Sequence, residues 1–232
     1  MPPPPVEGIA LEGIVVRLAV PADWEDVGAL TARVFADDGW AQGDYLGVLR
    51  DVAGRAAQAD VLVADDAGRL VGAVAVATRG GAFAEQAAPR EAVVRMLVVD
   101  AAGRGRGVGA RLMAACLQAA RDADCRVVRL STQPGMVAAH RLYERLGFVR
   151  TPGNDWCPEP ELLLWTYALA LVPWCDGCGE GVLARDHTGC AAAREHEPPR
   201  WCELCRRRLV VQVLPDGWSA RCVEHGTRTA PG

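Results

Sequence analysis

Two groups of residues have the types and spacing that chemistry needs. The first is residues 104–109, Arg-Gly-Arg-Gly-Val-Gly, set between the apolar run 93–99 and a helical run over 110–121. A strand, a glycine-rich turn and a helix start in that order offer bare backbone N–H groups and the positive end of a helix dipole, which suits a phosphate-bearing ligand. The second group is four pairs with the same two-residue gap: Cys175/Cys178, His187/Cys190, Cys202/Cys205 and Cys222/His225. That gap lets both side chains of a pair reach one ion from a tight knuckle.

Eight such donors can fill two tetrahedral Zn²⁺ sites, and alternating pairs sharing an ion is one arrangement open to them. The six thiolates also suit an iron–sulfur cluster. Residues 173–232 hold six of the nine cysteines and three of the four histidines. This segment has one good strand, over 209–214, with Trp201 and Trp218 as its main bulk, so bound metal would supply folding energy directly. His196 falls outside the pairing.

These compositions place a domain boundary near residue 172. The expected organisation is a disordered tail over 1–11, a first domain over 12–172, long enough for an ordinary core, and a metal or iron–sulfur module over 173–232. The chain has 232 residues and a net charge of −4, so no basic field points to nucleic acid. All 25 basic residues are Arg; a Walker-A phosphate loop needs Lys and is excluded. No apolar stretch reaches the length of a membrane span, about 20 residues, so no membrane partner is expected. The opening Met-Pro-Pro-Pro-Pro lacks the basic and apolar regions of a signal peptide, and the expected compartment is the cytoplasm.

The first domain alternates. Strands are expected over 14–20, 61–64, 70–77, 92–99 and 126–130. Helices are expected from 21, over 45–57, over 107–121 and over 136–146, the last stopped by Gly147. Residues 148–150 and 162–168 would close the sheet. The run 92–99 is apolar nearly throughout and reads as a central strand. This is an α/β layer fold with a mixed sheet flanked by helices.

Two ligand readings compete for the glycine turn. Gly105-x-Gly107-x-x-Ala110 fits the loose dinucleotide pattern. That reading wants an acid at the end of the next strand, where Ser131 and Thr132 stand instead. The better match runs Arg104-x-x-Gly107-x-Gly109, with residues 138–148 (Ala-Ala-His-Arg-Leu-Tyr-Glu-Arg-Leu-Gly-Phe) and 16–23 (Val-Arg-Leu-Ala-Val-Pro-Ala-Asp) around it. In this combination and order, residues 12–170 resemble the GNAT superfamily of acyl-CoA N-acyltransferases.

The resemblance implies a mostly antiparallel GNAT-like sheet, acetyl-CoA as cosubstrate, and a small-molecule or peptide amine as acceptor. Arg104, Gly105, Arg106, Gly107 and Gly109 would hold the pyrophosphate, and their amides can wrap it without Cβ obstruction at the glycines. The backbones of Leu97 and Val99 would bond the pantetheine. Transfer needs a neutral amine and a protonated thiolate leaving group. Tyr143 stands where the family often places its general acid, although an aromatic at helical spacing also suits a core. Glu91, at the start of the central strand, is a candidate base acting through water, or a solvated charge. His140 is one turn from Tyr143. Trp40, Tyr45 and Trp156 could line an acceptor pocket or fill the core.

The second segment carries Cys175-Asp-Gly-Cys-Gly, His187-x-x-Cys190, Pro198-Pro-Arg-x-Cys202-x-x-Cys205-x-Arg-Arg, Val210-Val-Gln-Val, Gly217-Trp and Cys222-x-x-His225-Gly. Residues 174–226 resemble the biotin synthase auxiliary proteins. That implies a Cys-rich module supporting biotin synthase through iron–sulfur chemistry. The alternative is a structural zinc-binding tail used for docking.

Overall fold

The expected strands and helices form in a computed structural model that describes residues 13–85 and 87–231; the expected tail over 1–11 lies outside them. The chain divides into two compact units, residues up to 87 with 91–169, and residues 88–90 with 170 onward.

The first unit opens with β1 (Ile14–Leu18), followed by α1 (Trp24–Asp37). The entry to α1 is fixed by Asp23, whose carboxylate accepts from the Val20 N–H at 2.7 Å and from both terminal nitrogens of Arg17. The helix expected over 45–57 is two short ones, α2 (Tyr45–Arg50) and α3 (Val52–Ala56). Asp51 breaks it: its backbone leaves the helical region, with ψ at 78°, and its side chain caps the Gly54 N–H.

A tight hairpin joins β2 (Asp60–Asp66) to β3 (Arg69–Ala77), and β4 (Glu91–Val99) pairs antiparallel with β3. Then come α4 (Val108–Asp122), β5 (Val127–Thr132), α5 (Val137–Arg145), β6 (Val149–Arg150), β7 (Trp156–Glu159) and β8 (Leu162–Ala170). The sheet order is β1-β2-β3-β4-β5-β8-β6, with β7 added on β8. Only the β4–β5 pair is described as parallel, so the sheet is mixed and mostly antiparallel. Its core is small and aliphatic: Val27, Leu49, Val52, Val63, Val74, Val76, Leu112 and Met113 are all essentially sealed from water. Each Val or Leu buried in this way stabilises the fold by about 1.5–3 kcal/mol.

The second unit contains α6 (Thr188–Ala193) and a three-stranded antiparallel sheet, β9 (Val210–Leu214), β10 (Gly217–Cys222) and β11 (Gly226–Pro231), with β10 in the centre. The sequence reading found only the first of these strands. The other two lack an apolar alternation, and only the Asp216-Gly217 turn marks the hairpin. Among the described residues no helix is long and apolar enough to cross a membrane.

Candidate active site and metal-binding groups

The site in the first unit begins with a fault in the sheet. Strands β4 and β5 pair from Glu91/Val127 to Val94/Leu130, although both run further, to Val99 and Thr132. Met96, just past the last pair, has a left-handed φ of 56°, and the register against β3 slips between Ala73 and Ala75. This is a bulge: an extra residue turns the rest of β4 out of line. The strands diverge there, and a wedge opens beside Leu97 and Val99.

At the far end of that wedge lies the glycine turn. Gly105 and Gly107 have φ of 74° and 75°, a conformation that costs a residue with a Cβ about 1–2 kcal/mol. Gly107 is the N-cap of α4, so the first amides of a 15-residue helix point into the turn. At Gly109 a Cβ would stand 3.1 Å from Leu142 Cδ2, so its absence lets α5 pack against the start of α4. The two arginines of the turn are tethered. Arg104 pairs with Asp38 at 2.7 Å and donates to the Val99 carbonyl at 3.3 Å, while Arg106 pairs with Asp66 at 2.7 Å.

On the other side of the bulge is a cavity of about 560 Å³. Met96, Leu97 and Tyr143 line it, as do Phe35, Phe83 and the three aromatics singled out from sequence, Trp40, Tyr45 and Trp156. Val99 and residues 104–109 are not in its lining; they lie on from it along the same strand and turn. Its walls are braced by polar contacts: Trp156 Nε1 donates to Ser131 Oγ at 3.0 Å and Gln133 Nε2 to the Trp40 carbonyl at 2.9 Å. Tyr143 packs on Phe148 and Tyr167 from α5. Burial, with the nearby Cys116 thiol as a smaller cause, pushes its phenol well above the ordinary tyrosine range, so it is protonated at neutral pH.

Glu91 is not brought to this cavity. Arg129, two residues along β5 from Val127, the register partner of Glu91, takes both carboxylate oxygens, at 2.5 and 2.8 Å. His140 is buried, stacks on Trp165 and contacts the Gln133 carbonyl at 3.1 Å, so it packs rather than faces the cavity. The sequence reading missed Arg95, a cation in the cavity wall; a lone charge inside the apolar run 92–99 was its signal.

In the second unit the eight expected ligands gather into two groups, Cys175, Cys178, His187 and Cys190, and Cys202, Cys205, Cys222 and His225. Neighbouring pairs share a site, which corrects the alternating arrangement entertained from sequence. Each knuckle is grouped with the next pair along the chain: His187 and Cys190 sit at the N-cap and in the first turn of α6 in one group, and the β9–β10 hairpin leads to Cys222 in the other. Within a group the ligand atoms lie within 4.8 Å of one another. Cys178 Sγ is 3.5 Å from His187 Nδ1, and Cys205 Sγ is 3.6 Å from Cys222 Sγ. Three sulfurs and one imidazole at such spacings fit a metal ion with soft-ligand preference.

The split sheet, the glycine turn and the helix behind it define an acyltransferase-type domain, joined to a Cys/His metal-binding module. The acetyltransferase (GNAT) family matches residues 26–148, more than half the chain, and this chain belongs to that family. The biotin synthase auxiliary protein family matches residues 209–231. Over 46 residues, 20% of this chain, the sequence is 59% identical to the biotin synthase auxiliary protein of Mycobacterium tuberculosis. That of Mycobacterium leprae is 67% identical over 30 residues, 13% of this chain and 38% of the relative. The chain spans 58% of the length of the first of these curated relatives.

Among solved structures, yncA from Salmonella typhimurium, determined with acetyl-CoA, aligns at a TM-score of 0.53 and 19% identity over 68% of this chain and 94% of its own. A GNAT-family acetyltransferase from Staphylococcus aureus Mu50 gives 0.56 and 14% identity over 68% and 99%. Ard1 from Thermoplasma volcanium gives 0.52 and 23% over 69% and 99%. These likenesses establish the fold.

Proposed function

We propose that the first unit transfers the acetyl group of acetyl-CoA to a primary amine. One observation carries this reading: the bulge at Met96 opens β4 from β5 along a line that leads from an aromatic cavity to an uncovered helix N-terminus. The pyrophosphate lies against the amides of residues 105–109, and the pantetheine follows the backbone of Leu97 and Val99 past the last β4–β5 pair. The amine enters through the cavity. Its nitrogen attacks the thioester carbonyl, the C–N bond forms and the C–S bond breaks. The thiolate takes a proton from Tyr143, which recovers it from solvent, and the ammonium proton is released to water. Glu91, committed to Arg129, has no part in this.

The test is calorimetric titration with acetyl-CoA. Binding is expected in the parent chain and at least a tenfold loss in Gly107→Glu, where a side chain meets a left-handed backbone and a carboxylate meets phosphate. Undiminished binding in that variant overturns the assignment.

For the second unit the reading is a pair of mononuclear Zn²⁺ sites that fold a module serving biotin synthase as a docking partner. The compactness of the ligand groups supports single ions. With Zn–S bonds of about 2.3 Å the edge of a tetrahedron is about 3.8 Å, close to the spacings here. Ligands to separate irons of a cluster stand farther apart, since each thiolate serves its own iron. Elemental analysis is expected to give two zinc ions per chain in colourless protein and one in Cys175→Ser. Brown, iron-containing protein purified without oxygen would overturn it.

A further inference from the structure

We propose that the acceptor is an α-amino acid with an apolar or aromatic side chain, and that Arg95 is the residue that holds its carboxylate. This rests on the acyl-transfer reading above. Arg95 lies on β4 immediately before the Met96 bulge, so its side chain enters the cavity at the level where the strands part. The guanidinium sits 4.7 Å over the Phe83 ring, and one nitrogen donates to the Phe83 carbonyl at 3.4 Å. Among the described residues no carboxylate pairs with it, whereas Arg17, Arg104, Arg106, Arg129 and Arg150 of the same unit are all ion-paired. A half-buried guanidinium on a ligand cavity with its donors largely unspent is suited to a planar, bidentate anion.

A second cation stands behind the first, outside the cavity lining. Arg55 is buried, donates to the Leu49 carbonyl at 2.7 Å, and is within electrostatic reach of Asp51, which favours its charge, and of Arg95, which opposes it. The negative groups of the cavity lie elsewhere. Asp44, Glu85 and Glu159 line it from the start of α2, from the loop before β4 and from β7, and all three are exposed. The cavity therefore presents a cation on its sheet wall and anions around its rim, with Phe35, Trp40, Tyr45, Phe83 and Trp156 between them. A zwitterion with an apolar body matches that division; a simple amine leaves Arg95 unanswered, and an acidic side chain meets the rim. In the transfer, the amino nitrogen gains the acetyl carbon, the thioester C–S bond breaks, CoA leaves as the thiol, and one proton passes to solvent. The carboxylate stays on Arg95 throughout.

The test compares matched pairs, L-phenylalanine with 2-phenylethylamine and L-tryptophan with tryptamine, as acceptors for the full chain with acetyl-CoA. The amino acid is expected to have at least a tenfold higher kcat/KM than the amine lacking its carboxylate. Arg95→Gln should bring that ratio near one by lowering only the amino acid's value, with acetyl-CoA affinity within twofold of the parent as proof of folding. A ratio at or below one in the parent, or one that survives Arg95→Gln, overturns the proposal. So does a chain that binds acetyl-CoA yet acetylates neither member of either pair. A chain that binds no acetyl-CoA overturns the acyl-transfer reading itself, and this proposal with it.

Discussion

The backbone N–H of Trp201 donates to the carbonyl of Asp176 at 2.9 Å, and the bond is returned: the N–H of Trp174 donates to the carbonyl of Glu203 at 3.1 Å. Both donors precede the first cysteine of a knuckle and both acceptors follow one, in Trp174-Cys-Asp-Gly-Cys178 and Trp201-Cys-Glu-Leu-Cys205. The likeness extends along the chain. Cys175 N–H donates to the Glu180 carbonyl and Cys202 N–H to that of Arg207, each at 2.8 Å. Gly179 and Arg206, each four residues past the first cysteine, have positive φ of 78° and 61°. Arg206 lies over the Trp174 ring and Arg208 over the Trp201 ring. The second unit is thus two copies of one metal-knuckle design, bonded to each other through the residue after the first ligand.

The acids at those positions join the copies by charge as well. Asp176 pairs with Arg194 and Arg90, Glu203 with Arg228 and Arg90, and both acid side chains are buried. Removing one partner of a buried pair strands the others' charge, at about 3–5 kcal/mol. Asp176→Ala is therefore expected to lower the stability of the second unit by about 3 kcal/mol and to loosen metal at both sites. Competition with a chelator, read as zinc released against chelator concentration, checks this. Release confined to the Cys175 group would show that the two knuckles are independent.

Replacing Tyr143 with Phe is expected to lower kcat by about 10²-fold, the lower end for a lost general acid, while KM for acetyl-CoA stays within threefold. The direction of the Tyr143 shift also fixes a pH profile. Its phenol is held above the ordinary tyrosine range by burial, so its acid form persists to higher pH than a solvent-exposed tyrosine's. The kcat profile should then show no fall from tyrosine ionisation up to pH of about 10, the unperturbed value. A fall of both kcat and acetyl-CoA affinity in Tyr143→Phe would mean that the ring only packs.

Asp155 ties the loop before β7 to β8, accepting from both terminal nitrogens of Arg150 and from the Thr166 N–H, each at 2.8 Å. The Arg150 bonds, joined by that of Thr166, lower its pKa below the ordinary aspartate range. A depressed folded pKa contributes stability that is full above the unfolded value, about 3.9, and is lost as pH falls through the lower folded one. Urea midpoints should fall through that acid window. Asp155→Asn should cost about 1–2 kcal/mol at neutral pH and flatten the acid limb. An unchanged limb would place the acid sensitivity elsewhere, at Asp23 beside Arg17.

Much of the site was legible in sequence because it is local. The turn at 104–109 needs glycine at left-handed positions and a helix beginning at once, conditions met within a few residues. The cysteine and histidine pairs are knuckles two residues wide, readable for the same reason. The sequence suits Trp40, Tyr45 and Trp156 to either pocket or core, because periodicity does not separate those roles; the fold puts all three on the cavity wall. The break at Asp51 escaped because its cap competes with an otherwise helical pattern, and β10 and β11 escaped because neither alternates.

The order of residues alone thus determined the acyltransferase-like succession of strands and helices, the phosphate-suited turn and the eight Cys and His residues suited to metal, since short-range sterics and spacing govern each. Tertiary structure alone decided which Cys/His pairs gather together, that Glu91 is spent on Arg129, and that Arg95 faces a cavity with no carboxylate partner among the described residues. Those outcomes depend on the register of β4 against β5 and on the bonding of one knuckle to its copy. Such contacts join residues far apart in the chain, whose meeting is set by packing rather than by neighbouring side chains.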